Sequence, residues 1–309
     1  MAPQYDLESL ILNIQRRCSV PTSQLTFSDE DFALLANDEL QGEVVPLIMS
    51  TREEYFVSYV DVASPSDGVI EFPAAAVGAK LRSVCWVQQT NPLVMTNLPR
   101  IDLDVVAGIG AGIIGLAGFY IQGNDIVLYP NTSVPTGTTI RLYYYKRSLV
   151  LAAPAAYGQV VSIDTGSNTV QLSNVPSDWV IGTQINSVSS IPNFNTTNVL
   201  ATIVTVSSPS IVLDTIEGIV VGDYVSELGF SAVPQVPVEA HAWLAQLTAV
   251  KCLEGLGDRS GMEAAQAKAD LLKKNLLVLI SQRIDGSVKK VMNPDGGVRL
   301  GAGLRRWGW

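Results

Sequence analysis

The chain has 309 residues, of which 47% are apolar and 16% are charged, and its formal charge at pH 7 is −9. The length excludes a small disulfide-stapled scaffold, and the apolar fraction excludes a disordered polyelectrolyte. The acidic balance argues against a surface that neutralises nucleic-acid phosphates. We therefore expect several packed modules, with some apolar surface covered only in an assembly.

The charges are unevenly distributed along the chain. Residues 1–250 carry 9 basic and 23 acidic side chains, whereas residues 251–309 carry 11 basic and 6 acidic ones. No Lys or Arg occurs between Arg147 and Lys251. The two parts of the chain therefore favour partners of opposite charge.

Residues typical of catalytic and metal sites are scarce. The three cysteines, Cys18, Cys85 and Cys252, have no pairing rhythm, so we expect reduced thiols and no zinc site. His241 is the only histidine and has no recognisable nucleophile or acid partner. We expect no enzymatic activity, no cofactor and no metal, and the first residues do not resemble a signal peptide.

Two helices are predicted near the N-terminus. Leu7, Leu10 and Ile14 recur at helical spacing before Pro21, which should end the first helix. Ser28 and Asp31 form a capping-box pattern that opens a second helix. Its predicted buried face consists of Phe32, Leu35, Ala36, Leu40 and Val44. Pro46 should end or kink this helix, and residues 47–59 then form either another helix or a helix running into a strand.

Residues 60–236 show the short, β-branched runs typical of an all-β region. Gly123 and Asn124 predict the turn of a hairpin, and residues 138–145 predict the next strand. Val180–Ile185 matches Val220–Val225, as part of a repeat of about 41 residues within 157–233. We interpret this repeat as a duplicated β unit that forms a small barrel or sandwich.

A helical pattern returns after Pro237. Ala240, Trp243, Leu244, Leu247 and Val250 share one face of the first of these helices. A second helix, opened by a capping box of Ser260 and Glu263, is expected to reach Arg283. Its predicted core residues are Ala264, Ala267, Leu271, Leu272, Val278 and Leu279.

The segment 105–121 contains Gly110-Ala111-Gly112-Ile113-Ile114-Gly115, which matches the dinucleotide-binding fingerprint. The fingerprint requires a following helix, but here the hairpin turn comes first. Its glycines also make it a poor membrane span, so we expect no stable membrane insertion. We interpret it as a flexible apolar loop, with glycines at Gly108, Gly110, Gly112 and Gly115.

These patterns predict an α+β fold. A helical bundle formed by the N- and C-terminal helices carries a large all-β insertion and an extended C-terminal arm. The predicted division is 1–60, 61–150, 151–236, 237–283 and 284–309. The arm combines basic residues with tryptophan anchors and fits docking on an acidic protein better than binding a polynucleotide. The anchoring residues are Arg299, Arg305, Arg306, Trp307 and Trp309.

Four stretches of the first 150 residues resemble head-to-tail adaptor (neck or connector) proteins of tailed bacteriophages. They are residues 27–40, 52–55, 72–82 and 120–147. The resemblance implies a ring, usually of twelve copies, beneath the portal protein, with an arm that reaches onto the portal. The duplicated β unit departs from the minimal helical pattern of such adaptors, which leaves its task open.

The resemblance also implies partners and a location. Copies of the chain would contact each other in the ring, and the ring would contact the portal ring and tail or nozzle proteins. Fibres are a further candidate partner. Double-stranded DNA would pass through the lumen without specific binding. The protein would be made in the bacterial cytoplasm and end in the virion. The expected ring-wall residues are Phe32, Leu35, Leu40, Trp243, Leu247, Leu271 and Leu272.

Two alternatives to an adaptor remain. One is another ring of the virion, such as a tail nozzle or fibre-attachment protein. The other is a β-rich carbohydrate-binding or hydrolytic protein of a cell envelope, although residues 151–233 offer few aromatic side chains for a glycan groove.

Overall fold

The computed structural model describes residues 5–19, 26–102, 118–130, 134–191 and 199–281. Within these ranges the chain is a mixed α+β protein, with helices towards both ends and strands between them. The predicted class is therefore confirmed in this coarse form, while the five-part division stays a prediction. The α-helices are α1 Leu7–Cys18, α2 Asp29–Glu39, α3 Val45–Thr51, α4 Val238–Leu256 and α5 Arg259–Ile280.

The N-terminal helices begin where side-chain caps are available. The Asp6 carboxylate accepts a hydrogen bond from the backbone N–H of Ser9, which satisfies a donor in the first turn of α1. Ser28 and Asp31 form the predicted capping box at α2, with distances of 3.1 Å from Asp31 N to Ser28 Oγ and 2.8 Å from Ser28 N to Asp31 Oδ2. Ser19, in a left-handed conformation, ends α1 before Pro21.

The chain remains helical around Pro46, but the type of helix changes there. A π-helix at Leu40–Val44 joins α2 to α3, so Pro46 lies in the first turn of α3, a position where proline is tolerated. A 3₁₀ turn at Glu53–Phe56 then leads directly into strand β1. Of the two alternatives for residues 47–59, the helix running into a strand is correct.

Two antiparallel sheets follow and share one core. The four-stranded sheet has the order β1-β7-β3-β4, and the three-stranded sheet has the order β2-β6-β5. Their shared core includes Val84, Ile126, Ile140 and Leu142. Gly123, with φ of 61°, makes the predicted hairpin turn between β5 and β6. The strands are β1 Val57–Ala63, β2 Val69–Glu71, β3 Ala76–Thr90, β4 Leu93–Leu98, β5 Gly118–Gln122, β6 Asp125–Tyr129 and β7 Thr139–Lys146.

The next strands form a short parallel pair and a closed barrel. β8 pairs in parallel with β15, and the six strands between them close in the order β10-β13-β12-β11-β14-β9. The barrel is thus inserted into a loop whose two ends meet at the β8–β15 pair. The strands are β8 Val150–Leu151, β9 Tyr157–Asp164, β10 Thr169–Leu172, β11 Gln184–Val188, β12 Val199–Ser207, β13 Ser210–Leu213, β14 Tyr224–Glu227 and β15 Phe230–Ser231.

The barrel contains two equivalent three-stranded units, as the repeat predicts. β9, β10 and β11 correspond to β12, β13 and β14, and the third strand of each unit pairs with the first strand of the other. Gly182 donates to the carbonyl of Ile203 at 2.8 Å, and Gly222 donates to that of Val160 at 2.9 Å. The two units that repeat in sequence therefore also make equivalent backbone hydrogen bonds.

The helices near the two ends of the described chain pack around α4, which is buried on most of its surface. It contacts α1, α2 and α5, and the predicted residues from Ala240 to Val250 all lie in this core. α5 is capped by Asp258, whose carboxylate accepts from Gly261 N at 3.0 Å. The predicted capping box of Ser260 and Glu263 is wrong, because Ser260 lies inside the first turn and its hydroxyl donates to Asp258.

The barrel core provides a first prediction. Replacing Ile203, which is buried in the barrel, with Ala should lower the free energy of unfolding by about 2–5 kcal/mol because it leaves a cavity. Val204, its exposed neighbour on the same strand, is the control, and Val204→Ala should cost less than about 1 kcal/mol. Urea unfolding measures both. Equal costs would contradict this placement of the strand.

His241 is partly buried and lies beside the Tyr5 ring, with the two ring centroids 5.4 Å apart. Burial lowers the pKa of His241 to about 4, although hydrogen bonds to the carbonyls of Val236 and Pro234 oppose the shift. Its Nε2 atom has no hydrogen-bond partner within the described residues. The imidazole is therefore neutral at pH 7 and forms part of the core.

Acid should weaken the fold through His241. Below pH 6.5 the unfolded chain binds a proton on this imidazole, whereas the folded chain does not until about pH 4. The free energy of unfolding should fall by up to roughly 3 kcal/mol across this window as the pH decreases. His241→Gln removes this contribution, so its unfolding free energy, measured in urea from pH 7 to 4, should decline less steeply. Parallel declines would contradict the assignment.

Candidate assembly surfaces

Helix α5 carries two apolar stripes, and only one of them faces the core. Its inward stripe consists of Ala265, Ala269, Leu276 and Ile280, with Leu272 partly buried beside it. The outward stripe consists of Ala264, Ala267, Leu271, Val278 and Leu279; the last three are 58%, 61% and 65% exposed. The prediction that these five outward residues lie in the core is wrong within one chain.

Small side chains and a buried amide explain which stripe faces α4. Ala265 and Ala269 let the backbones of the two helices approach closely. Gln246 of α4 donates from Nε2 to the carbonyl of Ala265 at 3.2 Å, which fixes the helix rotation. The outward stripe is flanked by Lys268 and Lys274, both exposed.

The other predicted ring-wall residues meet in one helical core. Phe32, Leu40, Trp243 and Leu247 are buried there, and Leu35 and Leu272 pack against it. Of the seven, Leu271 alone faces outward. The core positions hold the helices together, whereas the outward stripe of α5 is an exposed apolar surface.

The barrel displays two further apolar patches. The first patch comprises Val180, Ile181 and Val204, and the second comprises Val220, Val221 and Val161; all six are exposed. They occupy equivalent positions in the two units, beside β12 and β9, which are opposite strands of the barrel. The sequence repeat was the signal for these patches, because its matched segments contain the exposed pairs Val180–Ile181 and Val220–Val221.

The barrel has an acidic surface around these patches. Residues 157–227 contain six acidic and no basic side chains. Burial raises the pKa of Asp223, which nevertheless accepts a hydrogen bond from Val220 N at 3.0 Å. Such a surface repels phosphates and favours basic partners.

The outer face of the four-stranded sheet holds a polar and aromatic cluster that sequence patterns missed. Arg141 contacts both oxygens of Asp61 at 2.7 Å and lies over the exposed ring of Tyr59, with its Cζ 4.2 Å from the ring centroid. The hydrogen bond to Asp61 raises the pKa of Arg141. The register of β1 and β7 brings these residues together. The alternation of side chains along the two strands was the sequence signal that could have placed them on one face.

One groove lies between α2, α4 and α5, with Glu39, Glu43, Lys251, Asp270 and Lys273 along it. Its volume of about 240 Å³ is below that of a usual ligand pocket. Burial raises the pKa of Glu39. Among the described residues there is no cluster of three or more His, Cys, Asp or Glu that could hold a metal.

Two sets of predicted residues lie outside the described ranges. These are the arm residues Arg299, Arg305, Arg306, Trp307 and Trp309, and the loop glycines Gly108, Gly110, Gly112 and Gly115. In the part of the chain that is described, no helix is long and apolar enough to cross a membrane.

Comparisons with known proteins identify no family. No protein-family model matches the chain, and no curated protein gives a significant match to it.

The two stripes of α5 should respond differently to truncation. Leu276→Ala opens a cavity and should cost about 2–5 kcal/mol of unfolding free energy. Leu271→Ala removes an exposed side chain and should change stability by no more than about 0.5 kcal/mol. Urea unfolding at low protein concentration, where the chain is monomeric, gives both values. A larger loss for Leu271 would place the outward stripe in the core.

Proposed function

We propose that this chain is a structural subunit of a homo-oligomeric ring that joins head and tail of a tailed bacteriophage beneath the portal. The observation that carries the proposal is the outward stripe of α5, which leaves Leu271, Val278 and Leu279 exposed. Lys274 and Asn275 separate Leu271 from the other two residues, but the three recur on one side of the helix. Large exposed apolar residues gathered on one side favour an interaction site. In a ring, each subunit covers such a surface with a neighbour.

The helical part would then form the ring wall as a bundle. The core residues Phe32, Leu40 and Trp243 hold the wall helices, while the outward stripe faces the next subunit. The resemblance to adaptors supports a ring of twelve copies.

The charge distribution supports passage of DNA through the ring. The net charge of −14 over residues 1–250 repels phosphates, so double-stranded DNA would slide past without being held. The barrel, which carries only acidic charges, would face tail, nozzle or fibre proteins.

The C-terminal arm would dock on the portal. Arg299, Arg305 and Arg306 supply charge for an acidic surface, and Trp307 and Trp309 supply apolar anchors. On this proposal the chain is synthesised in the bacterial cytoplasm and resides in the virion at the head-to-tail junction.

The outward stripe gives a direct test of ring formation. The double variant Leu271→Asp/Val278→Asp should remain folded but fail to form rings, because it places carboxylates in an apolar contact. The control is Ile191→Asp, which adds an acid at an equally exposed apolar position in the β region. Light scattering measures the mass, and circular dichroism checks the fold. Rings that survive the double variant would remove the stripe from the interface.

A second arm of this experiment tests the partner. The full chain and a chain lacking residues 284–309 are each mixed with a portal ring, and the mass of the complex is measured. The full chain should bind, and the shortened chain should form rings without binding. A chain that assembles on no portal particle contradicts the adaptor proposal, and one that assembles only on tail particles favours a nozzle or fibre-attachment ring.

A further inference from the structure

Two of the three cysteines lie together in the helical core. Cys18, in the last turn of α1, and Cys252, on α4, are both buried, and the two thiols interact closely enough to shift each other's pKa. Cys18 Sγ also lies 3.5 Å from the carbonyl of Ala249, one turn before Cys252. Both are free thiols, as the sequence predicts.

We infer that Cys18 and Cys252 form a site of oxidative modification, in which an intramolecular disulfide ties α1 to α4. The two helices are already packed against each other, and Cys18 Sγ lies beside the carbonyl one turn before Cys252. A disulfide requires the sulfurs to approach to about 2.05 Å. Cys85 lies on the four-stranded sheet, where its thiol contacts Asn97, and it has no place in this pair.

The oxidant required is a small disulfide such as oxidised glutathione. The Cys18 thiolate attacks one of its sulfurs, its S–S bond breaks, and one glutathione thiolate leaves. The Cys252 thiolate then attacks the Cys18 sulfur of the mixed disulfide and releases the second glutathione. Two electrons pass from the cysteines to the oxidant, and the two thiol protons pass to solvent or to the released thiolates.

The order of attack follows from the positions of the two thiols. The interaction with Cys252 lowers the pKa of Cys18, whereas the same interaction and burial raise the pKa of Cys252. Cys18 also lies at a helix end, where fraying exposes a side chain more readily than in the middle of α4. Cys18 is therefore the attacking thiol and Cys252 the resolving one.

The bond would stabilise the chain strongly. It links positions near the two ends of the described chain, and the loss of unfolded-state entropy grows with the length of the closed loop. On the proposed function, the chain moves from the reducing cytoplasm to the oxidising exterior when particles are released. The disulfide would then form after assembly; its formation in the purified chain does not depend on that function.

The test counts thiols in the purified full chain. The native protein is incubated for hours with oxidised glutathione, then denatured, and its free thiols are titrated. We expect the count to fall from three to one, with faster migration on a non-reducing gel, a peptide pair joining Cys18 to Cys252, and a higher unfolding midpoint that reductant reverses.

Three single variants separate the pair from Cys85. Cys85→Ser should fall from two thiols to none, whereas Cys18→Ser and Cys252→Ser should keep both remaining thiols. Repeating the incubation in urea below the unfolding midpoint allows local opening. Three thiols retained under both conditions, or a disulfide that contains Cys85 or joins two chains, would overturn the inference. Because no portal is present, failure here leaves the adaptor proposal standing.

Discussion

The fold depends on the packing of α4 against α1 and α5, and one buried amide connects all three helices. Gln246 accepts a hydrogen bond from Arg17 Nη1 of α1 at 2.7 Å and donates to the carbonyl of Ala265 of α5 at 3.2 Å. Each polar group of this side chain thus has a partner, as burial requires. Helices α1 and α5 are held together through α4, and the β region between α3 and α4 is an insertion into this helical part.

Short polar links attach the β region to this helical part. Asn37 of α2 accepts from Leu151 N at 2.8 Å and donates to the Leu151 carbonyl at 3.3 Å, which positions strand β8. Leu7 N donates to the carbonyl of Ala232 at 2.8 Å, just after β15. The chain enters the barrel after β8 and leaves it before β15, so these contacts fix the base of the barrel. Its outer patches remain free of the helical part.

Sequence patterns predicted the features that depend on near neighbours. The capping box at Ser28 and the hairpin turn at Gly123 each depend on a few adjacent residues, and both are present. The β repeat was found by matching two segments of the chain, and its two units are present in the barrel. Strand β3 lies in the predicted β region, but its bounds were not predicted, because Gly78 and Ala79 adopt a positive φ within the strand. The contact of Cys18 with Cys252 joins distant parts of the chain, and no local pattern encodes it.

Helix α5 is the clearest case in which apolar periodicity could not predict which face of a helix is buried. Residues 264, 267, 271 and 278 and residues 265, 269, 272 and 276 form adjacent apolar stripes, so both satisfy a helical pattern. The small side chains of Ala265 and Ala269, together with Gln246, decide which one α4 covers. On the proposed function, a neighbouring subunit would cover the outward stripe. Stability should therefore rise with protein concentration, because subunit contact and folding are linked by mass action.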